Sequence, residues 1–219
     1  VMCRSMLTLP GRRLPGNVSI LRHMTVTDDN NPWRSRGYLP HSEAGETPQM
    51  LGFRLADSLP STLFARWEDE LQHLPHDAAS LERRKRIEAA LDAGHGESWL
   101  KDARISDIVE RAFLHFDAER YRLHAWVIMP NHVHVVATPL ANWTLADITH
   151  SWKSFTAKKA NTMVNRSGLF WAREYFDRVI RDEVHFANAV SYVERNSVKA
   201  GLCGRPEDWR YSSVWEGRR

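Results

Sequence analysis

The stretch Tyr121-Arg-Leu-His-Ala-Trp-Val-Ile-Met129-Pro130-Asn131-His132-Val133-His134-Val135-Val136 sets the reading of the whole chain. Residues 121–129 are rich in aromatic and β-branched side chains, Pro130-Asn131 is a turn signal, and residues 132–138 form a second short apolar run. This pattern predicts two antiparallel strands joined by a tight connection. Side chains alternate faces along a strand, so His132 and His134 point the same way, about 6–7 Å apart at the backbone. Val133 and Val135 then face the opposite side and anchor the strand, and Trp126, inside the first strand, belongs to the core.

Away from this pair the periodicity changes. Upstream, a strand is expected over about residues 49–55, and helices over about 61–74, 78–93 and 105–116. The first helix carries Leu63, Phe64, Trp67, Leu71 and Leu74 at helical spacing. The second has a basic turn at Arg83-Arg84-Lys85-Arg86, a buried side of Leu81, Ile87, Ala90 and Leu91, and Gly94 as its stop. The third shows one stripe of Ile105, Ile108, Val109, Ala112, Phe113 and Phe116. Downstream come a helix over about 145–164, a stretch at 170–180 that reads as a short strand or a loop, and a last helix over about 182–195. Asp182-Glu183 suit the N-terminal dipole of that last helix. The order of elements is that of a split β-α-β sandwich, an α+β fold with helices packed on one face of an antiparallel sheet. Residues 1–48, dense in turn formers, read as an irregular N-terminal arm. Residues 49–219 read as one domain with a helical insertion at about 75–119.

Composition narrows the function classes. A chain of 219 residues, 42 % hydrophobic and 26 % charged, has room for one domain with a substantial core. No stretch approaches the ~20 apolar residues of a membrane span, and Gly11-Arg12-Arg13 interrupts the first apolar run before it can serve as a secretory signal. Cys3 and Cys203 form no framework and no Cys-x-x-Cys pair, so a reducing, cytoplasmic setting is expected. The net charge of +3 conceals −6 over residues 39–150 and +5 over residues 151–219, which makes the C-terminal third a candidate for facing phosphates. Taken alone, such charge also reads as a solvated helical surface. Nine tryptophans supply core material or platforms for unpaired bases.

Two neutral imidazoles on one strand face can share a cation, but two ligands do not complete a site. The last helix offers a third. Tyr192 and Asn196 lie one turn apart on one face, beside a buried stripe of Phe186, Ala189, Val190 and Val193. The amide oxygen of Asn196 is a hard donor that suits Mg²⁺ or Mn²⁺ better than Zn²⁺. Taken alone, two strand histidines also read as a polar face and a helical tyrosine as packing.

The segments Tyr121 through Val136 and Ser191-Tyr192-Val-Glu-Arg-Asn196-Ser-Val-Lys199-Ala-Gly201-Leu resemble the REP-associated tyrosine transposases, single-tyrosine HUH relatives of the insertion-sequence-200-like transposases. Further matches are Arg36-Gly-Tyr-Leu-Pro-His41, Phe53-Arg-Leu-Ala-Asp-Ser-Leu-Pro60, Phe170-Trp-Ala-Arg-Glu-Tyr-Phe-Asp-Arg-Val-Ile-Arg-Asp-Glu183 and Asp208-Trp-Arg-Tyr-Ser-Ser213, in the expected order, with residues 1–35 outside the resemblance. The resemblance implies a ferredoxin-like, RRM-like palm. It implies that His132, His134 and Asn196 hold a divalent metal, Mg²⁺ or Mn²⁺, and that Tyr192 attacks DNA to leave a 5′-phosphotyrosyl bond and a free 3′-hydroxyl. The implied substrate is single-stranded or hairpin DNA of repetitive extragenic palindromes, cut and rejoined by a nucleoid-associated monomer or homodimer. The family usually reads Asn-Pro-Val-Lys, whereas this chain has Asn196-Ser197-Val198-Lys199, which loosens the stop of the tyrosine helix.

The chemistry suits these residue types. A free tyrosine titrates near ~10, so a nearby cation must favour the phenolate or the transition state. Energy kept in a phosphotyrosyl link allows rejoining without a nucleotide cofactor, and the chain holds no Gly-x-x-x-x-Gly-Lys-Ser/Thr loop. Lys153, Lys158, Lys159, Arg173, Arg178 and Lys199 are candidate phosphate contacts, and Trp152 or Trp171 candidate base platforms. Tyr175 is a rival nucleophile, and Cys203 reads as a small buried residue. Two other functions compete: a non-cleaving module that grips structured DNA or RNA on the same palm, and, ranked last, a zinc hydrolase built on His132 and His134.

Overall fold

A computed structural model describes residues 45–218, together with the backbone of two short strands, β1 (Trp33–Ser35) and β2 (Pro40–Ser42). Most of the arm expected over residues 1–48 lies outside the described residues; within it, β1 and β2 pair antiparallel. The ordered elements are then β3 (Gln49–Arg54), α1 (Ser61–Leu71), α2 (His76–Asp92), a 3₁₀ turn (Trp99–Lys101), α3 (Ala103–His115), β4 (Tyr121–Ile128), β5 (His132–Pro139), α4 (Leu145–Met163), β6 (Phe176–Val179), α5 (Glu183–Glu194) and the single turn α6 (Asn196–Lys199). The stretch left open between strand and loop thus contains β6.

The main sheet runs β4-β5-β3-β6 with every neighbour antiparallel. With β3, β4, β5 and β6 as its four strands in chain order, this is the ferredoxin-like arrangement. Register explains the two faces. Leu51 and Phe53 of β3 sit opposite Val135 and Val133 of β5, and join Trp126 and Ile128 in one core. Met50 opposite Val136, with Ala125, Val127 and Met129, forms a second, smaller core on the other face.

On the first face α3 and α4 pack together, bringing Ile105, Val109, Phe113, Ile148 and Trp152 onto the sheet. Edge-on ring contacts at 4.9 Å between Phe113 and Trp152 and 4.8 Å between Phe53 and Trp171 tie helix to helix and strand to loop. The sheet helix between β3 and β4 is therefore α3, which falls inside the stretch read as an insertion; α1 and α2 pair with each other outside that layer. The helices of the β-α-β repeat share one face as expected, while α5 follows the last strand and covers the opposite face through Ala189 and Val193. Its start is fixed by Asp182, whose carboxylate accepts from the His185 amide at 2.7 Å. Leu81, expected on the buried side of α2, is 44 % exposed; α2 turns only Leu91 fully inward. Among the described residues no helix is long and apolar enough to cross a membrane.

Beyond α6 the chain returns to the outer side of β4. Ile128 donates to the Tyr211 carbonyl at 2.8 Å and Ser213 to the Trp126 carbonyl at 2.9 Å. The Trp209 indole donates to the Ile128 carbonyl at 3.0 Å. Arg210 and Arg218 both pair with Glu110 of α3, a carboxylate that is itself almost buried. This is the work of the segment Asp208–Ser213 that the sequence left without a role.

Candidate active site

His132 and His134 begin β5 on the face covered by α5, and both are buried. Their rings meet edge-on with centroids 4.8 Å apart. The orientation of His132 is fixed by Asn131, whose amide oxygen lies 2.7 Å from its Nδ1. Asn131 is in turn locked by donating to the Leu91 carbonyl at 3.1 Å and the His95 carbonyl at 3.4 Å. With Nδ1 carrying the proton, Nε2 keeps its lone pair for a ligand, which is how an outer-shell amide sets a metal-binding tautomer. Sequence reading took Asn131 for a turn residue; its place directly before the histidine pair was the available signal.

His134 sits opposite Gly52 of β3. A Cβ at Gly52 would lie 3.1 Å from His134 Nδ1 and 3.4 Å from Cε1, so the missing side chain is what leaves room for the ring. Nothing in the spacing of residues 49–55 marks this glycine, because its importance comes from register with β5.

Tyr192 of α5 comes over the same face, its ring 5.4 Å from the His134 ring and at 81° to it. Asn196 is fully buried next to His132 and Tyr192 and influences the titration of both. The two were expected on one continuous helix. Instead α5 ends at Glu194, Arg195 intervenes, and Asn196 opens α6, with hydrogen bonds from the Lys199 amide to Arg195 and the Ala200 amide to Asn196 continuing the turn. Ser197, buried where the family carries proline, accepts from the Cys203 thiol at 3.2 Å, and Cys203 is half-buried rather than buried.

Electrostatics keep this cluster uncharged. Burial, then the neighbouring His134 and Lys199, hold His132 well below the usual histidine value despite help from Asn196. Burial, then Lys199, brings His134 down to about 4. Burial pushes the Tyr192 phenol up, and the carboxylates of Glu88 and Asp92 on α2 push it further, against the weaker pull of Asn196 and Arg84. Asp92 pairs with Lys199 at 2.7 Å and lies 4.0 Å from His132 Nε2, and the Lys199 ammonium stands 5.5 Å from the Tyr192 ring centre.

Four buried polar atoms at the centre, His134 Nδ1, the Tyr192 hydroxyl and both amide atoms of Asn196, have no hydrogen-bond partner in good geometry, although Asn196 lies close enough to His132 and Tyr192 to act on both. Each such group costs about 1–3 kcal/mol if left without a partner, so the centre is suited to a ligand that answers several of them at once. Two neutral imidazoles and an amide oxygen fit a divalent cation of the harder kind. Among the described residues no three His, Cys, Asp or Glu side chains group to hold a metal.

Residues 98–196 match the family described as IS200-like transposases. The match makes this segment similar to that family. The matched segment contains His132, His134, Tyr192 and Asn196, whereas Gly52, Asp92 and all of α1 and α2 lie outside it. The structure is also similar to that of a REP-associated tyrosine transposase bound to a REP hairpin, at 15 % identity and a TM-score of 0.49 over 79 % of each chain. A candidate transposase from Deinococcus radiodurans R1 is similar at 14 % identity and a TM-score of 0.30 over 74 % of this chain and 96 % of that one. No curated protein matches the sequence.

The candidate DNA contacts divide by layer. Arg178 of β6 and Lys199 of α6 lie on the histidine face, and Arg173 lines a cavity beside it. Lys158 and Lys159 are exposed on α4, the opposite layer, and do not reach the site. Lys153 is spent on structure: its ammonium donates to the Ala172 and Arg173 carbonyls at 2.7 and 2.8 Å. Trp152 and Trp171, expected as base platforms, are core residues whose indoles donate to the Tyr121 hydroxyl and the Thr156 hydroxyl. Tyr175, the rival nucleophile, packs in the core of the α3–α4 face and lines the same cavity as the histidines, while the ring that meets His134 edge-on is that of Tyr192.

Proposed function

We propose that the chain is a metal-dependent DNA-nicking and joining transposase whose nucleophile is Tyr192. One observation carries the reading: the tyrosine of α5 and the histidine pair of β5 meet on one sheet face, with unpaired buried donors and acceptors between them. His132, His134 and Asn196 would hold a divalent cation, Mg²⁺ or Mn²⁺, which when bound supplies charge neutralisation on the phosphate to be cut. Gly52 and Asn131 keep the two imidazoles in place for it.

The Tyr192 oxygen attacks phosphorus, a phosphotyrosyl ester forms on the 5′ side, and the 3′-oxygen leaves and takes a proton to become a hydroxyl. The phenolic proton is lost in the same exchange. Reversal by a 3′-hydroxyl rejoins DNA without an external energy source. Burial of the phenol and its unfavourable carboxylate neighbours keep Tyr192 protonated until phosphate and cation arrive together, which restrains the nucleophile against stray reaction. The substrate class that follows from the motif resemblance is single-stranded or hairpin DNA of repetitive palindromes.

The test is incubation of hairpin oligonucleotides bearing single-stranded flanks with the full chain and Mn²⁺ or Mg²⁺. The expected result is a denaturant-resistant protein–DNA adduct that disappears in Tyr192→Phe and in EDTA. An adduct that persists in Tyr192→Phe, or a wild-type chain that binds hairpins without forming one, overturns the reading; the latter result supports a gripping module.

A further inference from the structure

Beside the histidine pair lies a cavity of about 330 Å³ to which the nicking chemistry assigns no task. Its volume falls at the small end of the ~300–1,000 Å³ typical of ligand pockets. His132, His134 and Gly52 form its inner wall, the rings of Phe64 and Phe176 flank it, and α2 closes it with Arg84 and Ile87. The lining is thus aromatic and apolar, yet guanidinium groups stand on the rings. Arg84 lies 4.6 Å from the Phe176 ring centre and Arg54 lies 4.9 Å from that of Phe64.

The charge around the cavity is unbalanced toward the positive. Arg84 is lowered first by its own burial and then by the like charge of Arg178, with Glu88 and Tyr192 only partly compensating. Glu88 feels Arg84, Lys199 and Arg178, and Lys199 is already paired with Asp92; the cavity lining itself holds Arg54, Arg83, Arg84 and Arg173 against Glu88 and Glu174. Such a setting favours an added anion. Flat hydrophobic walls beside paired guanidiniums are the chemistry that accepts a base on one side and a phosphate on the other.

We propose that this cavity seats the base of one unpaired nucleotide next to the phosphate to be cut, with Arg84 of the cavity wall taking that nucleotide's phosphate. Its position next to the nick rests on the function proposed above, whereas the binding itself needs neither metal nor cleavage. Phe64, Arg84 and Ile87 belong to α1 and α2, outside the matched segment of residues 98–196, so the pocket is furnished by elements that segment does not contain. A pocket of this kind selects which base can stand beside the nick.

The test is a titration of the ¹⁵N-labelled full chain in EDTA with dAMP, dCMP, dGMP and dTMP, and separately with inorganic phosphate, followed by amide shifts. At least one nucleotide is expected to move the amides of Gly52, Ile87 and Phe176 saturably, while phosphate alone leaves Phe176 unmoved. Arg84→Gln is expected to weaken that binding about tenfold or more, and Ile87→Trp, which fills the cavity, to abolish it. The proposal is overturned if no nucleotide moves those amides, if phosphate alone reproduces the shifts, or if both variants bind as the wild type does. Adduct formation and mononucleotide binding, both measured on the wild-type chain, separate the two readings. Mononucleotide binding retained in a wild-type chain that forms no adduct sinks the nicking reaction and keeps the pocket. Adduct formation without mononucleotide binding does the reverse.

Discussion

Replacing Gly52 by alanine tests the site with a single methyl group. The new Cβ would stand 3.1 Å from His134 Nδ1 and 3.4 Å from Cε1, with the Val133 carbonyl oxygen at an ordinary 3.6 Å. The tight contact is with the end of a side chain, so the imidazole yields and the strand does not. Relief to an ordinary distance moves the ring by about 0.3 Å, beyond the roughly 0.2 Å that metal–ligand bonds tolerate. The expected loss in Mn²⁺ affinity is about tenfold, or ~1.4 kcal/mol. Stability should move the other way: a glycine inside a strand costs roughly 0.5–1 kcal/mol relative to alanine, and Gly52 has no left-handed backbone to protect. Mn²⁺ titration read by electron paramagnetic resonance, beside thermal melts in EDTA, measures both. Unchanged Mn²⁺ affinity in a folded Gly52→Ala chain would refute the assignment of His134 as a ligand held by this close approach.

Three further outcomes follow from the same geometry. Between pH 6.5 and about 4 the unfolded chain takes up a proton at His134 that the folded chain refuses, so stability in EDTA falls as pH drops through that window. From His134 alone the loss by pH 4.5 is about 2–3 kcal/mol, and urea melts of His134→Gln should show a shallower pH dependence. Asn131→Ala removes the partner of His132 Nδ1 and the side-chain donor to the Leu91 and His95 carbonyls, of which Leu91 keeps the Gly94 amide at 3.0 Å. It should cost about 2–4 kcal/mol by denaturant melts and weaken Mn²⁺ binding about 10–100-fold. Asp92→Asn frees Lys199 from its ion pair. Hairpin binding at low salt should then tighten a few-fold, with a log–log salt slope steeper by about one.

What the sequence could disclose was local. The β4–β5 hairpin, the stripe of α3 and the capped start of α5 each rest on side chains within a few positions of one another, and each appears where its periodicity predicts. The pairing of His132 with His134 is legible for the same reason: two residues apart on a strand leaves no other geometry. Gly52 and Asp92 were not legible, because their value depends on which residue of a distant element stops opposite them. Leu81 misled because an apolar residue at a buried-side position says nothing about whether a neighbouring element arrives to cover it. Trp152 and Trp171 were open between core and base platform in the sequence and fall in the core, since an indole's polar edge is satisfied as readily by a buried hydroxyl as by a base.

The closing residues of the chain have a consequence for how copies of this protein meet. A sheet's outermost strand ordinarily offers a ladder of spare amides and carbonyls to any passing strand. Here the flank of β4 is already spoken for, since Trp209, Tyr211 and Ser213 occupy its free groups and two arginines buckle the strap to Glu110. Clipping that strap would turn a sealed margin into an adhesive one, and proteolysis near residue 205 would be felt first as clumping and only afterwards as lost activity.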